Sequence, residues 1–309
     1  MPTITKNHSS SWGIFFFIFV LLASCQAPAE DLEGYTNSII EWQEERNAEM
    51  RDTSGSWLSL VGLHWLEQGE STFGADSNHT LIFPNTAPGF AGRFILAEDQ
   101  LSLEVAEGVR VTQDGQPVQA LAMNHDMDDN TSYLQMGSIQ FYALSRPEGM
   151  AIRVKDSKSP ELVAFEDIPN FDIDPNWKIE AQLQWFDEPQ SIQIPTVLGS
   201  ERTQKCPARI VFEVDGETYE LSPYQSFYGD PVWTIIFSDL TNGESTYGGG
   251  RFLSLDEPAP GATSITLDFN KAYNPPCAFS AFATCPLPPP ENRLAVAIPA
   301  GEQNYGEFH

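Results

Sequence analysis

Two thiols eight residues apart, with a carboxylate, two amides and a phenol just ahead of them, concentrate the reactive side chains of this chain between residues 267 and 293. Asp268, Asn270, Tyr273 and Asn274 lead into Cys277 and Cys285, and Arg293 closes the stretch. Such groups orient a small polar molecule through hydrogen bonds and aromatic stacking, as sugar and metabolite pockets require. Arg251, on a nearby predicted strand, completes a candidate ligand-binding set of Arg251, Asp268, Asn270, Tyr273, Asn274 and Arg293. Hydrolysis is the alternative chemistry. Asp268 could share acid and base roles with a second carboxylate, or Cys277 could act as a nucleophile if a neighbouring base lowered its pKa. For Cys277 and Cys285 the structural alternative is a disulfide, which would stabilise the segment by about 2–3 kcal/mol. A zinc site needs four nitrogen or sulfur ligands, which two cysteines without a nearby histidine do not supply, so neither metal nor cofactor is expected. Asp126, Asp128 and Asp129 are further carboxylates in one short run, of which Asp128 and Asp129 fall in a solvated loop and could help hold calcium. Arg153 with Asp156, and Arg251 with Asp268, could instead be ion pairs that fix strand ends.

The elements that must hold these groups are predicted to be mainly β. Pro275, Pro276, Pro286, Pro288, Pro289 and Pro290 exclude a regular helix from the reactive stretch and preset an extended path. Upstream, short alternating or β-branched runs punctuated by Gly, Pro, Asn and Asp predict an antiparallel β-sandwich or barrel-like architecture. Expected strands include Ile139–Ser145, Ala151–Lys155, Ile179–Phe186, Ala208–Val214, Trp233–Phe237, Arg251–Leu253, Ser264–Leu267 and Leu294–Ile298. Asp114-Gly115 and Asp215-Gly216 favour the left-handed backbone of tight hairpins. One amphipathic helix is predicted over Tyr35–Glu49, with Thr36 or Asn37 as its cap and Tyr35, Ile39, Ile40 and Trp42 on its apolar side. A single large domain is expected over 35–309, with the Pro- and Asp-rich Ile168–Trp177 segment as a possible subdivision.

Several segments resemble the bacterial domain-of-unknown-function family 1684. They are Trp57-Leu58-Ser59-Leu60-Val61-Gly62-Leu63-His64-Trp65-Leu66, Phe73-Gly74, Phe237-Ser238-Asp239-Leu240-Thr241, Thr246-Tyr247, Gly250-Arg251-Phe252 and, above all, the Leu267–Glu302 stretch. The resemblance spans nearly all of the chain beyond its leader. It implies no established activity, and Cys206 stands outside the family pattern.

Location is read from the other end. Lys6, the apolar run Gly13–Leu22 and Leu22-Ala23-Ser24-Cys25 match a lipoprotein signal over 1–24, with lipid attachment at Cys25 and a polar tether over 25–34. The run is about half the ~20 apolar residues of a membrane span. A lipid-anchored cell-envelope protein follows, outer-membrane in a Gram-negative host because Gln26, and not aspartate, succeeds Cys25. The 16 basic against 43 acidic residues give a net charge of −27. That excludes a phosphate-backbone binder, so no nucleic-acid partner is expected and membrane contact falls to the lipid. The expected function is binding of a small polar or carbohydrate-like ligand in a pocket built by the Pro-rich C-terminal loop.

Overall fold

Runs of alternating burial, the mark of strands with one face turned to a core, recur along the chain and, among the described residues, assemble four mostly antiparallel sheets after one long helix. The computed structural model describes residues 1–3, 31–225 and 231–306. All but the first three residues of the lipoprotein signal, together with Cys25 and most of the expected tether, lie outside the described residues. Among those residues no helix is long and apolar enough to cross a membrane.

The helix, α1, spans Leu32–Arg51 and begins earlier than the apolar pattern predicts. Asp31 caps it by accepting from the Gly34 amide, 3.0 Å away, so Thr36 and Asn37 lie inside the helix. Tyr35, Ile39 and Met50 are its buried residues, whereas Ile40 is exposed.

A six-stranded and a five-stranded sheet enclose the first core. The former orders Leu60–Trp65, Gly149–Asp156, Ile139–Arg146, Leu134–Met136, Val111–Gln113 and Gln116–Val118. In the latter, Gly69–Gly74 pairs in parallel with Leu81–Ile82, and Gly92–Ala97, Gln100–Val105 and Ala120–Met123 follow antiparallel. Phe73, Phe83, Phe94 and Phe141 meet between them, with ring centroids from 4.6 to 6.0 Å apart. Each fully buried ring contributes roughly 1.5–3 kcal/mol of transfer free energy. The Asp114-Gly115 hairpin joins two of the strands with both residues at positive φ, as its sequence requires.

A second core belongs to the C-terminal half. The long strands Lys178–Pro195 and Glu201–Val214 form a hairpin flanked by Glu217–Leu221 and Ser264–Asp268. A three-stranded sheet of Tyr224–Gln225, Val232–Phe237 and Arg251–Asp256 lies against it. Trp233, Phe237, Leu253, Phe269 and Ile298 are buried together there. Ile168–Trp177 is no slack linker: Ile168 joins Phe165 and Phe279 in a small cluster, and the Phe171 amide donates to Gly301 O at 2.9 Å. Leu294–Ile298, expected as a strand, runs as irregular chain instead. Pro289, Pro290 and Pro299 hem it in, and its Leu294 amide bonds Ser238 O at 2.8 Å while the Ile298 amide reaches the Asp239 carboxylate at 3.2 Å.

Candidate functional site

Strand alternation decides which side chains turn away from the two cores and toward each other. In Gly149–Asp156, Ile152 and Val154 enter the first core, so Arg153 must point to the opposite face. It stands opposite Tyr142 of the adjacent strand, and Arg146 follows Tyr142 by four residues on that same face. In the three-stranded sheet, Trp233, Ile235, Leu253 and Leu255 enter the second core. Val232, Thr234, Phe252 and Ser254 therefore form the sheet's outer face, together with Tyr224 opposite Thr234.

These two outer faces border a cavity of about 410 Å³. Arg146 and Arg153 line it from the six-stranded sheet, Arg202 from the long hairpin, and Arg46 with Trp57 from α1 and the turn beyond it. The Pro-rich loop supplies Tyr273, Asn274, Pro276 and the Ala283–Pro286 segment. Four of the chain's 16 basic residues thus meet at one hollow of a strongly acidic protein.

The four guanidinium groups are not equally matched. Arg46 donates from Nε to Glu302 at 3.1 Å, pairs with Glu49 at 2.9 Å and lies over the Tyr273 ring, 5.0 Å from its centroid. Burial opposes the Arg46 charge, but attraction to Glu302 and the hydrogen bonds outweigh it and raise its pKa. Glu302, 1% exposed, also accepts the Asn274 amide at 2.7 Å. Burial lifts its carboxyl above the usual range against the pull of Arg46. Arg146 pairs with Asp126 at 2.7 Å. Exposed Glu148 is held below the ordinary carboxylate range, first by a Ser200 hydrogen bond and more weakly by Arg202 and Arg146. Arg153 differs from all of these. It is 8% exposed, it faces the Tyr142 phenol across the strand pair and favours that phenol's ionised form against burial, and among the described residues no carboxylate pairs with it. Its Nε, like that of Arg146, is buried without a partner, as is Asn274 Oδ1 on the cavity wall. An isolated buried cation is costly unless a counter-charge meets it, and Arg153 has no such counter-charge from the described residues.

The six residues expected to form one pocket separate into two groups. Tyr273 and Asn274 reach the cavity. Tyr273 shares a 2.9 Å hydroxyl contact with Ser254, and burial raises its pKa. Arg251 does not reach it: the group is 0% exposed, and its Nη2 donates to Asp239 at 2.8 Å and to Ile298 O at 2.9 Å, while Nη1 donates to Ala300 O. Asp268 accepts from the Tyr35 hydroxyl at 2.8 Å and from the Asn270 amide at 3.2 Å, and so is not the partner of Arg251. Asn270 ties Tyr35 to Asp174, through contacts of 2.9 Å to the Tyr35 hydroxyl and 2.8 Å to Asp174 O. Arg293 is exposed on the far stretch of the tail. Cys277 and Cys285 are joined as a disulfide, so Cys277 carries no free thiolate, and Cys285 lies in the cavity wall.

The remaining expectations also find places. Asp128 accepts the His125 amide at 2.9 Å, and among the described residues no three His, Cys, Asp or Glu side chains converge as a metal site. Asp156 bonds Thr86 at 2.6 Å and the Lys158 amide at 2.9 Å, leaving Arg153 without it. Arg46, Arg146, Arg153 and Arg202 were not singled out as ligand-binding residues by the sequence. Arg153 alone left a trace, a charge in the middle of the apolar strand AIRVKD.

Residues 163–303 match the model of a family described as a protein of unknown function, DUF1684. The quoted Trp57–Leu66 and Phe73–Gly74 segments lie outside that match. Among solved structures, the chain is similar to the solution NMR structure of an uncharacterised protein from Haloarcula marismortui, 33% identical over 47% of this chain and 80% of that one, with a TM-score of 0.39. No curated protein matches.

Proposed function

For a chain that belongs to the DUF1684 family, we propose a binding function: it holds a small anionic ligand in the arginine-lined cavity between its two β-cores. The observation that carries this reading is Arg153, a buried guanidinium on the cavity wall with no carboxylate partner among the described residues. The Pro-rich loop has the part of a wall, contributing Tyr273 and Asn274, while the charge recognition comes from strands and from α1. A neutral glycan would leave the cationic lining unanswered, so an anion fits better. Hydrolysis finds less support, because Asp268 is occupied by Tyr35 and Asn270 and Cys277 is bonded.

The binding would take place in the cell envelope. The Lys6–Leu22 leader and Cys25 support secretion and lipid anchoring, with the lipid as the membrane contact. Metabolic labelling with an alkynyl fatty acid checks the anchor. Incorporation in the wild type and its loss in Cys25→Ala are expected, and equal labelling of both would overturn it.

For the ligand, thermal unfolding of the full chain with anionic and neutral metabolites is decisive. Anions should raise the transition of the wild type and leave Arg153→Met unmoved. Equal shifts in both proteins, or shifts by neutral sugars alone, would remove the proposal.

A further inference from the structure

We infer that the ligand of this cavity is a monocarboxylate whose remaining surface is apolar or aromatic, an inference that rests on the anion-binding reading above. Its first ground is the pairing of the guanidinium groups. Arg46 is matched by Glu302 and Glu49 and Arg146 by Asp126, and Arg202 acts on the carboxylate of Glu148. Arg153 is the guanidinium of the cavity that no carboxylate pairs with among the described residues. One guanidinium without a carboxylate of its own calls for one negative charge. A dianion would bring a second, unmatched charge into a partly desolvated site, with the penalty that entails. A carboxylate also fits the planar fork of a guanidinium through two parallel hydrogen bonds.

The second ground is the state of the polar atoms around the rest of the hollow. A sugar needs many donors and acceptors facing it. Here the Tyr273 and Ser254 hydroxyls bond each other at 2.9 Å, and the Asn274 side-chain amide donates to Gln303 O at 2.7 Å. The surfaces that remain are mostly Trp57, Tyr224, Val232, Phe252, Pro276 and Pro286, with the hydroxyl-bearing Thr234 and Thr284 among them. Apolar walls with a few placed polar groups take an apolar body and fix one end of it. Asn274 Oδ1, buried without a partner on the same wall, adds one acceptor for a hydroxyl or amide on that body.

Isothermal calorimetry of the full-length protein with benzoate, benzamide, phenyl phosphate and glucuronate tests this. Benzoate should bind at least about tenfold more tightly than benzamide, since a hydrogen bond to a charged group is worth roughly 1.5–3 kcal/mol. Arg153→Gln should weaken benzoate by about ten- to a hundredfold on the same basis. Arg153→Lys should keep part of the affinity, which separates lost charge from lost folding. Phe252→Ser should weaken benzoate while leaving acetate unchanged. Phenyl phosphate or glucuronate binding more tightly than benzoate, and depending on Arg153, would overturn the monocarboxylate inference and leave the anion pocket standing. If none of the anions shows Arg153-dependent binding, both fall together.

Discussion

Arg251 and Arg153 are both buried guanidinium groups on β-strands, and they meet opposite fates. Arg251 lies over the Phe237 ring, 5.3 Å from its centroid, and spends its terminal nitrogens on Asp239 and the carbonyls of Ile298 and Ala300. Gly250 just before it sits at φ +88°, where any side chain would strike the Phe237 carbonyl and the Pro288 ring. The chain closes around that cation. Around Arg153 it leaves a hollow, and the nearest acidic neighbours in sequence bond elsewhere. Burial alone therefore does not mark a binding residue. The discriminating feature is whether the protein itself supplies the counter-charge.

The sharpest way to break the contrast is to empty the satisfied site. Arg251→Ala leaves Asp239 buried without its cation, and breaking such a pair costs about 3–5 kcal/mol. Chemical denaturation should show a loss of that size, or no folded protein. A loss under about 1 kcal/mol would mean that Arg251 is no anchor. The disulfide comes next, since it secures the Pro-rich wall of the cavity from the other side. Replacing Cys277 and Cys285 by serine opens an eight-residue link, and loop-closure entropy sets the cost at about 2–3 kcal/mol. The same denaturation curve checks it.

Arg153→Met carries the opposite sign. Removing a buried charge that lacks a partner should leave stability unchanged or raise it by about 1 kcal/mol, while binding of anions is lost. A destabilisation like that of Arg251→Ala would show that the protein does hold Arg153 with a partner of its own. The comparison would then collapse.

The sequence revealed these two sites very unequally. The β architecture was legible because alternation and the Asp-Gly turns act over a few residues: Ile139–Ser145 and Trp233–Phe237 match observed strands to within a residue at each end. Leu294–Ile298 has strand composition, yet its backbone groups are claimed by Ser238, Asp239 and Arg251. The cavity was hardly legible at all. Arg46, Arg146, Arg153 and Arg202 come from α1 and three different strands, and apart from Arg146 and Arg153, which share one hairpin, no local spacing links them. Only folding brings their faces together. Tyr273 and Asn274 were found because they sit in the Pro-rich stretch whose density of polar groups is visible in one dimension, and Arg251, Asp268 and Asn270 were grouped with them by that same density although the fold spends them on itself.

A third basic side chain, only half-buried, resolves the problem of charge by giving it up. His64 stacks on Phe83 at 5.8 Å with its Nε2 buried and unbonded, and burial lowers its pKa from the ordinary 6.5. The folded state thus favours neutral imidazole, while the unfolded chain takes up a proton as soon as pH falls below about 6.5. The stability associated with neutral His64 is complete above that pH and is lost as pH drops toward the lower folded value. His64→Phe keeps an aromatic ring against Phe83 and cannot titrate. Urea midpoints of wild type and variant should therefore hold a constant gap above about pH 7 and shift in favour of the variant toward pH 5. A gap that stays the same across the whole range would mean that His64 is protonated as readily in the folded protein as in the unfolded chain, and that of these three basic side chains only the two arginines bear on charge.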